Sequence, residues 1–225
     1  MKKGQLVVID GIDGSGKTTQ INLLAKSLKE KEVDFEVISF PQYGKNEYAD
    51  YIHDYLSGKF GEINSINPYD LAKVYCDDRK TAREQILSWL GSGKLVIANR
   101  YVSSSKAHLG AHLEEDQRKQ FINWINKLEY GENNMPKEDL TILLNVDPRV
   151  GQKNSQDERS SSTNKDHLDI HEDNLKHLQE ANKIFLELSK QELNWVVIDC
   201  MKGDNMQSPE KIHQQILKTL KGKIF

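Results

Sequence analysis

Cysteine is nearly absent from this chain of 225 residues: only Cys76 and Cys200 occur. One lies in a helical pattern and the other just after a strand-like run, which suits unpaired thiols in a reducing compartment and leaves a single regulatory disulfide as the only cross-link open. Charge of one sign is lacking too. With 31 basic against 34 acidic residues, a formal charge of -3 and a pI near 6.2, the chain has no general field for gripping nucleic acid, so any polyanion chemistry is local and no nucleic-acid partner is expected. No apolar run approaches the roughly 18 residues that a membrane span needs, and the N-terminus enters a strand within a few residues. Neither signal peptide nor anchor is therefore expected, and the cytosol (cytoplasm) is the expected location. Composition breaks, internal repeats and low-complexity tracts are also missing, so residues 1–225 read as one large domain.

Five short apolar, β-branched runs are present: Leu6 to Ile9, Phe35 to Phe40, Leu95 to Ala98, Leu140 to Val146 and Trp195 to Ile198. Long helical patterns separate them. Strands apolar on nearly every residue and alternating with helices predict an α/β fold, a five-stranded parallel sheet covered on both faces as α/β/α layers. In such sheets ligands bind beyond the carboxyl ends of the strands. The unusual residues cluster there: Asp10 to Thr18, then Phe40-Pro41-Gln42-Tyr43-Gly44, then Asn99-Arg100-Tyr101.

The stretch Gly11-Ile12-Asp13-Gly14-Ser15-Gly16-Lys17-Thr18-Thr19 follows the first strand and precedes a helical pattern, Ile21 to Leu28. Its spacing matches the phosphate loop G-x-x-x-x-G-K-[ST], in which glycines turn backbone N–H groups inward around a phosphate and the next helix presents its positive end. Lys17 then reaches the β and γ phosphates of a nucleoside triphosphate, and the Thr18 hydroxyl ligates magnesium.

Further along, a helix is predicted from about Pro68 to Leu90, with Asn67 as N-cap and proline at its first position. Tyr75 and Arg79, four apart, share one face of it. Taken alone, Arg79 also fits a boundary arginine with its stem on apolar surface. From Arg149 to Lys165 the chain turns polar and serine-rich and reads as a mobile loop; Arg149, Lys153, Arg159 and Lys165 could fold back over a phosphate site, or simply be solvated. Asp169 and Glu172 follow, ahead of a helix whose core stripe is Leu175, Leu178, Ile184, Phe185 and Leu188. A last helix, about Pro209 to Leu220, offers no chemistry.

A phosphate loop fixes the donor and leaves the acceptor open. Arg79 and Arg100 near the strand ends supply charge-assisted, fork-shaped donors suited to a second anionic group. If that acceptor is itself a phosphate, its oxygen is already an anionic nucleophile. No catalytic base is then needed, and none is evident beside the loop; holding two anions in line and neutralising charge suffices.

Together, the loop at Gly11 to Thr19, the Phe40-Pro41-Gln42-Tyr43 turn, Tyr75 with Asp78-Arg79, and Arg100-Tyr101 followed by Ser104-Ser105 resemble thymidylate kinase. The resemblance extends through Asp169-xx-Glu172. It implies a P-loop nucleoside monophosphate kinase that moves the γ-phosphate of ATP to dTMP with Mg2+, for dTTP synthesis, as a homodimer. It further implies that Asp13 accepts from the sugar 3′-hydroxyl and orients Arg100, that Phe40 packs beside the sugar in the Phe40, Pro41, Tyr43 turn, that Tyr75 stacks on the pyrimidine and Arg79 donates to its carbonyl, and that Arg100 holds the acceptor phosphate. Ser104 and Ser105 stand near the base edge. The phosphate loop carries no positive charge at Ile12, Asp13 or Ser15, so the variant with basic residues in the lid, about 149–166, fits: Arg149, Lys153 and above all Arg159 are the candidates for closing over ATP, and Asp169 for ordering them.

Two positions depart from the family pattern. Asn99 replaces the usual aspartate before the arginine, with Asp10 as a candidate to supply the missing charge to magnesium. His108 stands where Tyr or Phe commonly faces the sugar 2′ position. Kinases for another deoxynucleoside monophosphate such as dUMP, and a nucleotide-binding scaffold without catalysis, are the alternatives.

Overall fold

The computed structural model describes residues 3–61, 66–161 and 174–224. Five strands, Gln5–Asp10 (β1), Phe35–Ser39 (β2), Leu95–Asn99 (β3), Leu140–Asn145 (β4) and Trp195–Asp199 (β5), form one sheet in the order β2-β3-β1-β4-β5, every neighbouring pair parallel. All five fall where the apolar runs predict. Central β1 pairs with β3 (Ile9 opposite Asn99) and with β4 (Asp10 opposite Leu143), so the ends of these strands converge on one edge.

The side-chain period of two divides the core between the faces. Val7 and Ile9 of β1 pack with Ile142 and Leu144 under helices Lys17–Glu30 (α1), Leu175–Gln191 (α8) and Pro209–Lys223 (α9). Leu6 and Val8 pack with Val96 and Ala98 on the opposite face. That face is covered by Glu47–Leu56 (α2), Pro68–Thr81 (α3), Arg83–Gly91 (α4), Val102–Gly110 (α5) and Glu115–Asn126 (α6). Each fully buried Leu, Ile or Val contributes about 1.5–3 kcal/mol relative to exposure. This two-sided burial is why the strands are apolar on successive residues. A single π-helical turn, Lys127–Glu132, follows α6, and a two-stranded hairpin, Met201–Lys202 (β6) with Asn205–Met206 (β7), follows β5.

The helix predicted from Pro68 to Leu90 is two helices. The break is at Ala82, whose N–H bonds back three residues to the Arg79 carbonyl (3.0 Å), while the Thr81 hydroxyl donates to the Asp78 carbonyl (2.7 Å). The second difference is larger. Residues Pro148–Ser161 of the stretch predicted as a loop form a helix (α7). Asp147 accepts from the Arg149 N–H (2.8 Å) ahead of it, as an N-cap does, and Pro148 takes the first position. Both cysteines are buried and unpaired with each other, as expected; burial pushes the Cys200 thiol up to about 12, with Asp199 adding to it. No described helix is long and apolar enough to cross a membrane.

Candidate active site

Between β1 and α1 the chain turns through the phosphate loop. Gly16, with φ 84°, stands in the left-handed region just before α1, and no side chain caps that helix. The first N–H groups of α1 are thus presented toward the loop, an anion site by backbone geometry alone. Lys17 is buried and donates to the Gly11 and Ile12 carbonyls (2.9 and 2.8 Å), which places its ammonium inside the loop's curve. Thr18 and Thr19 are exposed, and the Ser15 hydroxyl is buried with no hydrogen-bond partner among the described residues.

Helix α7 lies directly on this loop. The Asn154 amide donates to the Gly14 carbonyl (3.0 Å), and Gly151 is buried against Asp13 and Ile12. At 100° per residue, Arg149 and Lys153 fall on the side of α7 away from Gly151, and both are exposed. The described contacts from this segment to the loop are made by Gly151 and Asn154, while Arg149 and Lys153, expected to close over ATP, stand on the outer side of the helix. Arg159 is half-buried farther along the helix. Lys165, Asp169 and Glu172 lie outside the described residues.

Beside the loop opens a cavity. It is walled by Asp13 from the phosphate loop; Phe40, Pro41 and Tyr43 from the turn after β2; Tyr75 and Arg79 from α3; Arg100 from the turn directly after β3; and Ser104, Ser105 and His108 from α5. Tyr101 completes it with Leu56 and Leu109, the latter two not singled out by sequence reasoning. The Phe40–Pro41 peptide is cis. That turn is held by buried Asp78, which accepts from the Gln42 N–H (3.2 Å), the Gln42 amide (3.1 Å) and the Asn46 amide (2.8 Å).

Two arginines mark the ends of the cavity. Arg79 is 1% exposed, and its Nε and Nη2 both reach Glu129 Oε1 (2.6 and 2.5 Å) while Nη2 also donates to the Ser105 hydroxyl (2.8 Å). Burial is the largest single influence and works against the charge, but Glu129, Cys76 and Asp78 together outweigh it and raise the guanidinium pKa, so Arg79 is permanently cationic. Its Nη1 is the nitrogen not used in these bonds. Arg100 sits in the left-handed region at φ 64°, a conformation uncommon for any residue but glycine and held here by its N–H bonding to the Ile9 carbonyl (3.1 Å). Its guanidinium donates to Asp13 on one side and to His108 Nε2 (3.0 Å) on the other. Burial holds His108 well below the usual imidazole range; Arg100, His177 and Lys17 push the same way and Asp13 opposes them.

Asp10, expected as a metal ligand, is fully buried and already engaged. Its carboxylate accepts from the Ser103 and Ser104 hydroxyls (2.6 and 2.7 Å) and the Gly11 N–H (2.9 Å). It ties the start of α5 to the start of the phosphate loop, and this also commits the Ser104 hydroxyl away from the base edge. The Asn99 amide oxygen, by contrast, is buried with no hydrogen-bond partner among the described residues.

Sequence reasoning missed Glu129 and His177. Glu129 stands 50 residues beyond Arg79 and His177 69 beyond His108, and neither spacing leaves a local signal. The helix at Pro148 did leave one, the Asp147-Pro148 pair.

The family model for thymidylate kinase matches residues 9–216. A probable thymidylate kinase of Pyrobaculum aerophilum is 30% identical over 218 residues, covering 96% of this chain and 95% of that protein. Thymidylate kinase of Mycobacterium tuberculosis is 29% identical over 150 residues, covering 67% and 70%. A solved thymidylate kinase structure from Candida albicans shares the fold with a TM-score of 0.71 at 21% identity, over 98% of this chain and 92% of that one. With the phosphate loop, the two-arginine cavity and a match over nearly the whole length, the chain belongs to the thymidylate kinase family.

Proposed function

We propose that the protein transfers the γ-phosphate of ATP to dTMP, giving dTDP. The observation that carries this is the cavity beside the phosphate loop with a fixed arginine at each end, Arg79 braced by Glu129 and Ser105, Arg100 braced by Asp13 and His108. One end suits a base carbonyl and the other a phosphate. Arg79 Nη1 donates to the pyrimidine carbonyl, Tyr75 stacks on the ring, Phe40 packs beside the sugar, and Asp13 accepts from the 3′-hydroxyl. Arg100 grips the acceptor phosphate and turns its oxygen toward the donor. Because both arginines are positioned before substrate arrives, little reorganisation accompanies binding, and the positive charge already lies where negative charge moves in the transfer.

Lys17 and the N–H groups of the loop take the donor phosphates. Arg159, half-buried on α7 above the loop, is the lid cation that meets the ATP phosphates. The donors present fit magnesium held mainly by nucleotide phosphates and water: the Thr18 hydroxyl is exposed beside the loop, the buried Asn99 oxygen is open, and no cluster of three His, Cys, Asp or Glu residues able to hold a metal occurs among the described residues. When bound, magnesium neutralises the β and γ phosphate oxygens. A homodimer in the cytosol accompanies this reading through the family resemblance.

Calorimetric titration of dTMP tests the acceptor site. Binding is expected, weakened in Arg79→Met and lost in Arg100→Met. Undiminished dTMP affinity in both variants would place the acceptor elsewhere.

A further inference from the structure

His108 Nδ1 lies 3.3 Å from His177 Nε2. The two rings are nearly parallel, 28° apart with centroids 5.6 Å apart, and both side chains are buried, with 7% and 5% exposure. They come from different elements: His108 from the last turn of α5, His177 from the first turn of α8. The position of His177 is fixed on its own side, because its backbone N–H donates to the Asn174 side chain that caps α8 (3.0 Å) and its ring meets His112 edge-on at 5.1 Å. Phe185 meets His108 edge-on at 5.7 Å, closing the other flank.

The proton inventory of this chain of contacts is forced by its first member. A guanidinium only donates, so the Arg100 contact at 3.0 Å requires a lone pair on His108 Nε2. His108 must then be neutral with its proton on Nδ1, and that N–H points at His177 Nε2, which accepts. The opposite tautomer of His108 would set an N–H against an N–H of Arg100, and the doubly protonated ring would do the same with added charge. Among the described residues, Asp13 and Lys17 of the phosphate loop, Arg100, and His177 of α8 face His108, and His108 and His112 face His177.

We infer that His177 is a positioning residue for the acceptor step: by accepting from His108 Nδ1–H it reinforces the tautomer that lets His108 receive Arg100, and so steadies the guanidinium that grips the acceptor phosphate. The imidazole adds a contact to the Arg100 guanidinium beside the one from Asp13, and His177 bears on which face of the imidazole is offered. This rests on the acceptor role given above to Arg100. It also makes the first turn of α8 part of the acceptor site, although no atom of it lines the cavity.

The test uses the full chain and three proteins: unsubstituted, His177→Phe and His177→Gln. Phenylalanine keeps an aromatic ring and removes the acceptor; glutamine restores an acceptor. For His177→Phe the expected result is a KM for dTMP raised about tenfold with the KM for ATP within about twofold, the size of effect for losing one ordering hydrogen bond near a charged group. His177→Gln is expected to regain most of that loss. Imidazole 15N spectra give a second readout that does not depend on turnover: His108 should show the Nδ1–H tautomer in the unsubstituted protein and a mixture in His177→Phe. An Nε2–H tautomer in the unsubstituted protein overturns the inference, even if the phenylalanine variant does not fold. So does dTMP turnover with an unmoved KM in a folded His177→Phe, or an equal rise in both KM values. No dTMP turnover by the unsubstituted protein overturns the acceptor reading itself.

Discussion

Gly151 of α7 rests on the phosphate loop so closely that a methyl group there would stand 2.7 Å from the Asp13 carbonyl oxygen and 3.2 Å from Ile12 and Val146. The contact is reciprocal, since a methyl on Gly14 would overlap the Gly151 carbonyl. Backbone against backbone at this range leaves no flexible side chain to give way, so α7 and the loop move together or not at all. Gly151→Ala is therefore expected to displace Asp13, and with it the Arg100 contact, raising the KM for both nucleotides by about tenfold while the unfolding midpoint falls by a few degrees, as about 1–3 kcal/mol of overpacking does. Steady-state kinetics and a thermal melt check this. Unchanged kinetics would mean that α7 can shift freely off the loop.

The Arg79–Glu129 pair predicts a sign reversal between single and double variants. Glu129→Gln leaves a buried guanidinium without its carboxylate and is expected to lower stability by about 3–5 kcal/mol. Arg79→Met with Glu129→Leu removes both charges and is expected to recover most of that stability, while dTMP binding is weakened because the base has lost its donor. Urea denaturation measures the first part. A double variant no more stable than Glu129→Gln would show that the uncompensated guanidinium is not what destabilises the single variant.

Stability should fall on mild acidification. Burial pulls the His112 pKa from its ordinary 6.5 to about 4, and His108 shifts the same way. Between about 6.5 and 4 the unfolded chain binds protons that the folded chain refuses, so stability is full above this window and declines as pH drops through it. His112→Gln is expected to flatten the dependence of the urea midpoint on pH between about 7 and 5. An identical slope in the variant would assign the titration to other groups.

The sequence carried the sheet and the donor loop because both are local: each strand is a contiguous apolar run, and the phosphate loop is nine consecutive residues. Much of the acceptor cavity was legible for a related reason, since its residues sit at strand ends and at helical spacing. Helix α7 was hidden by its packing. It meets the loop through Gly151 and Asn154 and buries Ser155, none of which needs an apolar stripe, so a period of 3.6 never shows; only Asp147-Pro148 announced it. The break at Ala82 was invisible because α3 and α4 share one amphipathic pattern. Glu129 and His177 act through pairings that exist only once α3 meets the π turn and α5 meets α8. The hold of Ser103 and Ser104 on Asp10 was not legible, because a carboxylate at a strand end looks the same in sequence whether it faces a metal or two serine hydroxyls.

The most direct measurement is a coupled ADP-release assay with ATP and magnesium, offering dTMP, dUMP, the ribose form of TMP, dCMP and dGMP in parallel, with Lys17→Ala as the blank. The account predicts turnover with dTMP well above every other acceptor, and none in Lys17→Ala. Measurable ATP binding without turnover of any acceptor, or a clear preference for a nucleotide other than dTMP, would contradict it.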